Sequence, residues 1–199
     1  MDRGLFIALE GIDGAGTTTQ AELLEKWLKS KGYKVHLTRE PTTWIIGGII
    51  RAVLTDDLKL SDKVLTMLFA ADRLHHVEKE IIPLLQKGVF IVCDRYFLSN
   101  LAYHWNEYPK EWLIELERFA ILPDVTFLLD IPAEVSLERI GKSRFEVTLY
   151  EKLDKLRKVR ENYLELAKVY PNIVIIDGTK SIEEVHKEIT QKLQEMFNL

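Results

Sequence analysis

Five apolar runs of strand length recur along the chain: Leu5–Leu9, Lys34–Thr38, Val89–Asp94, Val125–Ile131 and Ile173–Asp177. They are near-continuous rather than alternating. Alternation marks a strand with one wet face, whereas an unbroken run marks a strand covered on both, as in a parallel sheet. Between the runs, apolar positions recur at three and four residues. That spacing predicts helices at 17–31, 45–54, 61–87, 96–105, 110–121, 133–140, 146–169 and 181–197. The 61–87 segment carries Val64, Leu65, Leu68, Phe69, Val77, Ile81 and Leu84 as a stripe, and 146–169 carries Leu149, Leu153, Leu156, Tyr163 and Leu166. Such stripes read as core or as dimer surface. Ser181 and Glu184 have the spacing of a capping box at the last helix. The order β-α-β-α-α-β-α-α-β-α-α-β-α predicts a doubly wound α/β fold, a five-stranded parallel sheet joined by right-handed crossovers and flanked by helices.

Composition narrows the function classes. A chain of 199 residues suits one domain with a real core. The net charge of -4 provides no overall basic field, so no nucleic-acid partner is expected. No run reaches the about 18 apolar residues of a membrane span. The first apolar stretch is short and bracketed by Asp2, Arg3 and Asp13, unlike a targeting signal, so a cytoplasmic setting is expected. The one cysteine, Cys93, sits inside an apolar run and reads as a small buried hydrophobe. Lys, Glu and Ile are plentiful while Asn and Gln are sparse, a composition favoured at high temperature.

Ligands of open α/β sheets lie beyond the carboxyl ends of the strands. The first strand end runs into Gly11, Ile12, Asp13, Gly14, Ala15 and Gly16, then Thr17 and Thr18 and an amphipathic helix. Strand, glycine loop and helix N-terminus form the context of the phosphate-binding motif G-x-x-x-x-G-K-[ST]. Backbone N–H groups from Gly11 to Thr18 would cradle the phosphates of a nucleotide, helped by the helix dipole. The Thr18 hydroxyl occupies the Mg²⁺ slot, and Thr17 stands where the motif has lysine. The second strand ends at Arg39, Glu40 and Pro41, the third at Asp94, Arg95 and Tyr96. Asp94 could hold a Mg²⁺ water shell or orient a phosphate acceptor; alone, Asp94–Arg95 reads equally well as a local ion pair.

These residues resemble the thymidylate kinases. EGIDGAGTTTQ is similar to that family's EGxDGxGKTTQ; TREP at Thr38–Pro41, LFAADRLHH at Leu68–His76 and DRYFLSNLAYHW at Asp94–Trp105 resemble its other motifs in order; LRKVRENYLELA at Leu156–Ala167 matches the helix after its lid. The resemblance covers nearly the whole chain and implies a P-loop kinase domain over 1–199 with a short lid at 139–147. It implies transfer of a phosphoryl group from ATP to dTMP with Mg²⁺ at Thr18 and Asp94, and a homodimer. It assigns Arg95, helped by Arg39 and Arg51, to the acceptor phosphate. Phe69 would stack on the base, Arg73 and Asn100 would read its edge, Tyr103 would lie against the sugar, and Asp13 would meet the 3′-hydroxyl.

Two departures stand out. His104 replaces a family glutamine, and Thr17 replaces the loop lysine. Members that keep a catalytic cation in the loop have arginine at the position of Gly14. The lid cations Arg139, Lys142 and Arg144 are therefore expected to supply the missing charge. Two other readings remain at this point: a weak or silent nucleotide-binding relative, and a kinase for another deoxynucleotide such as dUMP or a purine.

Overall fold

The computed structural model describes residues 3–141 and 146–199. The five apolar runs become β1 (Phe6–Glu10), β2 (Val35–Arg39), β3 (Phe90–Asp94), β4 (Val125–Asp130) and β5 (Ile173–Asp177). They form one sheet in the order β2-β3-β1-β4-β5, with every neighbouring pair parallel. The helices are α1 (Thr17–Ser30), α2 (Ile45–Leu54), α3 (Asp62–His76), α4 (Ile82–Gln86), α5 (Phe97–His104), α6 (Lys110–Leu116), α7 (Ala133–Ile140), α8 (Glu146–Val169) and α9 (Ile182–Phe197).

Position in the sheet explains the composition of each strand. Every residue of β1 is buried, as is nearly all of β4, because helices cover both faces. The edge strand β2 is only half-buried and carries His36 and Thr38 among its apolar residues. Leu24 and Leu28 of α1 are fully buried, as are Ile189 and Leu193 of α9. The expected capping box is present: Ser181 Oγ accepts from Glu184 N while the Glu184 carboxylate accepts from Ser181 N.

Two elements differ from the sequence expectation. The segment 61–87 is interrupted by a π turn at Val77–Ile81 between α3 and α4. Pro83 follows closely; it has no N–H and its ring crowds the carbonyl four residues back, so a wider turn takes the place of the regular ladder. The single stripe divides as a result, with Val77 and Ile81 in the core and Val64 41% exposed. The helix expected at 110–121 stops at Leu116, and Glu117 takes the cap position with its side chain turned inward.

The chain leaves the central β1 first toward β3 and β2, then crosses to β4 and β5. This reversal opens a crevice at the carboxyl end of β1. Leu9 of β1 pairs with Asp94 of β3, so the glycine loop and Asp94 emerge side by side. No described helix is long and apolar enough to cross a membrane.

Candidate active site

The crevice is floored by the glycine loop and the start of α1. Gly16 caps α1 with φ 98°, no side chain caps the helix, and no acidic residue lies in its first turn. The first N–H groups of the helix thus remain available and the positive end of its dipole is unopposed, which is what an anion requires. A cavity of about 530 Å³ opens there, bounded by the loop from Asp13 to Thr18 together with Arg95, Arg139 and Lys180. Gly178 and Ser181 from the β5–α9 connection, with Ile182 and Val185 of α9, complete the wall.

Thr18 Oγ1 donates to Asp94 Oδ2 at 2.5 Å, while Asp94 Oδ1 is buried with no partner among the described residues. A hydroxyl beside a carboxylate with an unused oxygen is a hard-oxygen donor set that fits Mg²⁺. Among the described residues, no group of three or more acidic, His or Cys side chains could hold a metal by itself. This pair therefore suits an ion whose other ligands are phosphates and water. A second cavity of about 350 Å³ meets the first at Thr18 and includes Asp94, Thr38, Arg39, Thr42 and Trp44. Arg39 lies in this second cavity, away from Arg95, which lines the first.

Arg95 has a left-handed backbone, φ 67°, a conformation that costs a non-glycine residue roughly 1–3 kcal/mol and persists where its surroundings enforce it. Its amide donates to Leu9 O, and its guanidinium reaches Gly11 O at 2.8 Å and Asp13 at 2.7 Å and lies over the Tyr103 ring. Arg95 and Asp13, two expected site residues, are thus paired with each other. Support comes from Glu10, fully buried at the end of β1. Its carboxylate accepts from Tyr96 N, Ser99 N, Ser99 Oγ and Tyr163 OH. Burial pushes its pKa up to about 7 against those donors and Arg95. Glu10 ties α5 and α8 to the strand end.

The expected base-reading residues are buried deeper. Arg73 is 1% exposed, bonded through Nη1 to Glu117 at 2.6 Å and ion-paired through Nη2 to Glu40 at 2.8 Å. Burial works against its charge, but the two carboxylates outweigh that cost and hold it protonated. Asn100 Nδ2 donates to Glu117 at 2.7 Å and to Thr66 O at 3.2 Å. Phe69 lies one helical turn before Arg73, half-buried. Arg51 donates to the carbonyls of Pro41 and Thr42, and the buried Asp72 carboxylate accepts from both the N–H and the hydroxyl of Thr42. The loop after β2 is thereby fixed from both sides. Ile12 is buried, and its carbonyl accepts from Ala15 N to close the loop turn.

The extended charged cluster ends at His76, which is fully buried. Nδ1 lies 3.0 Å from Glu40, and Nε2 lies 2.8 Å from Thr38 Oγ1 and 3.5 Å from Glu80. With a carboxylate facing each nitrogen, both donate. Burial opposes the charge, but Glu40 and Glu80 hold the pKa up at about 9.

A sequence model described as thymidylate kinase matches residues 9–189. The chain belongs to the thymidylate kinase family. It is 47% identical over 194 residues to a Pyrococcus horikoshii protein named "Probable thymidylate kinase", covering 94% of each chain. It is 46% identical over 203 residues to the protein of the same name from Thermococcus kodakarensis, covering 97% and 98%. The thymidylate kinase of Thermosipho africanus is 42% identical over 191 residues, covering 93% and 95%. The family fold is the one observed, a parallel α/β sheet around a P-loop, and its members are ATP-dependent nucleoside-monophosphate kinases.

Within this kinase the missing loop charge has a visible steric setting. Gly14 has φ 75°, and a Cβ there would lie 3.0 Å from Ser136 O and 3.1 Å from the Ile140 side chain. Helix α7 thus presses on the loop at Gly14. The same helix delivers Arg139, whose guanidinium reaches Gly14 O at 3.3 Å and Gly178 O at 2.9 Å. Lys142 and Arg144 lie outside the described residues.

Sequence reasoning did not single out Glu10 or Glu117. Glu10 had a local signal, a carboxylate ending an apolar strand. Glu117 had none, because its partners Arg73 and Asn100 lie 44 and 17 residues away along the chain.

Proposed function

We propose that this kinase transfers the γ-phosphoryl group of ATP to dTMP, as one domain over 1–199 with a lid at about 139–147, in the cytoplasm. The observation that carries the proposal is the convergence on one crevice of an uncapped α1 N-terminus, Arg95 and the Thr18–Asp94 pair, in a chain of this family. The N–H groups of the loop and α1 hold the donor phosphates. Thr18 and Asp94 hold Mg²⁺, which when bound neutralises charge on the phosphates. Arg95 draws the acceptor phosphate in and releases Asp13 to the 3′-hydroxyl. Arg51 assists from the loop after β2, and Arg39 lies across the second cavity. Phe69, Arg73, Asn100 and Tyr103 bind base and sugar. A phosphate oxygen of dTMP attacks the γ-phosphorus, the bond to the β,γ-bridging oxygen breaks, and ADP leaves. No covalent intermediate with the protein is needed; positioning and electrostatics suffice.

Arg139, with Arg144 and Lys142, takes over charge that the loop lysine supplies elsewhere. The protein acts as a homodimer through the exposed apolar face of α3 and the segment after α6, where Val64, Met67, Leu74 and Phe119 lie at the surface.

The deciding experiment follows ADP formation from Mg-ATP with dTMP, beside dUMP, dGMP and no acceptor. Rapid turnover that depends on dTMP supports the proposal. Nucleotide binding without turnover favours the second reading, a silent relative, for which Thr17 is the specific observation.

A further inference from the structure

We propose that Glu117 is a positioning residue for base recognition: its carboxylate dictates which atoms Asn100 and Arg73 present, and so selects a pyrimidine with an N3–H beside a carbonyl. The inference rests on the assignment of Arg73 and Asn100 to the base.

The argument is one of hydrogen-bond accounting. Asn100 Nδ2 lies 2.7 Å from Glu117 Oε1 and 3.2 Å from Thr66 O, and a carboxylate and a carbonyl only accept. The amide is therefore satisfied in a single orientation, with Oδ1 turned away. Both oxygens of Glu117 also accept from Arg73 Nη1, Nη2 pairs with Glu40, and the guanidinium face rests over the Tyr96 ring. Left over in this cluster are an acceptor, Asn100 Oδ1, and a donor, Arg73 Nε. Both are buried, and neither has a partner among the described residues. Thr66, Phe69 and Arg73 share one face of α3 by their spacing.

Thymine and uracil offer an N–H and a carbonyl in adjacent positions, the complement of that pair. Cytosine offers a bare ring nitrogen and an amino group, which leaves an acceptor facing an acceptor and a donor facing a donor. Nothing local favours an acid at this position. Glu117 is buried, and it sits at the C-terminal end of α6, where the helix dipole repels negative charge. Its partners, Arg73 and Asn100, are what hold it there.

The test compares dTMP, dUMP and dCMP in the natural protein and in Glu117→Gln, by steady-state kinetics and by direct calorimetric binding. The Gln amide places a donor where Asn100 and Arg73 both donate, so Asn100 is free to turn. KM for dTMP should rise at least about tenfold, the preference for dTMP over dCMP should fall at least about tenfold, and kcat and the KM for ATP should hold. Glu117→Asp, which keeps the charge, should recover part of the preference. Equal losses for all acceptors, or a lower kcat with an unchanged dTMP:dCMP ratio, would mean that Glu117 only supports the fold, and would overturn the inference. So would a natural protein that binds dCMP as well as dTMP. Should Glu117→Gln not fold, the same measurement on Glu117→Asp decides, and an unchanged ratio there overturns it. A protein that binds dTMP selectively but never turns it over defeats the kinase proposal alone, because binding constants still carry the ratio.

Discussion

Threonine at position 17 is too short and carries no charge to follow a phosphoryl group in flight. Removing one pre-aligned transition-state donor costs roughly 10²–10³ in rate, so a working kinase with Thr17 must draw that charge from elsewhere. Arg139 already touches the loop at Gly14 O. If it substitutes for the lysine, the two positions are not independent, and a double-mutant cycle will register it. Arg139→Ala should lower kcat by about 10²-fold in the natural chain and by under about tenfold in the Thr17→Lys background. Turnover numbers for the four proteins check this, and strictly additive losses would show that Arg139 acts independently of position 17.

At the scale of elements, the connection between β2 and the helix that runs from α3 through the π turn depends on a buried imidazolium. The pKa of His76 rises on folding from 6.5 to about 9. A group raised in this way adds stability that is complete below pH 6.5 and is lost as pH climbs through 9. Glu80, lowered to about 2 mainly by its bond to His76, behaves oppositely, with its contribution intact above pH 4.5 and lost toward pH 2. His76→Gln should therefore flatten the decline in melting temperature between about pH 6.5 and 9. The full linkage for a shift of this size is about 3 kcal/mol. Thermal melts across that range provide the measurement, and parallel curves for the two proteins would show that His76 is not charged in the fold.

This part of the molecule also marks the limit of what could be read in advance. Strands were legible because a strand covered on both faces has only apolar positions to offer, and the phosphate loop because its geometry is local, from Gly11 to Thr18. The cluster of His76, Glu40, Arg73 and Glu117 was not. A histidine or glutamate on an amphipathic helix defaults to solvent, and only the docking of β2, α3 and α6 together turns these side chains inward. Likewise the π turn before Pro83 changes which residues of 61–87 face the core, a shift of phase invisible to a spacing count. The site was legible as a set of residue types, while the bonds tying them to one another were not.

For the molecule as a whole, the proposed homodimer would use the apolar surface on α3 and beyond α6. Met67 is 50% and Phe119 66% exposed, and Val64, Leu74 and Leu122 also lie at the surface. Light scattering should give twice the chain mass of 23.1 kDa. Met67→Glu with Phe119→Glu should halve it and leave the helical content intact. A monomer in the natural protein at micromolar concentration would remove the case for that surface.

The contact of α7 with the phosphate loop has a consequence of another kind. Ser136 Oγ donates to Asp13 O at 2.5 Å, Arg139 holds Gly14 O, and no Cβ fits at Gly14 unless Ser136 and Ile140 retreat. An arginine in place of Gly14 would sit at a strained φ of 75° and would need Ser136 and Ile140 to give by a few tenths of an ångström. What fits at position 14 of the loop is thus limited by a neighbour more than a hundred residues further along the chain, and a redesign of that position would have to include the helix that carries it.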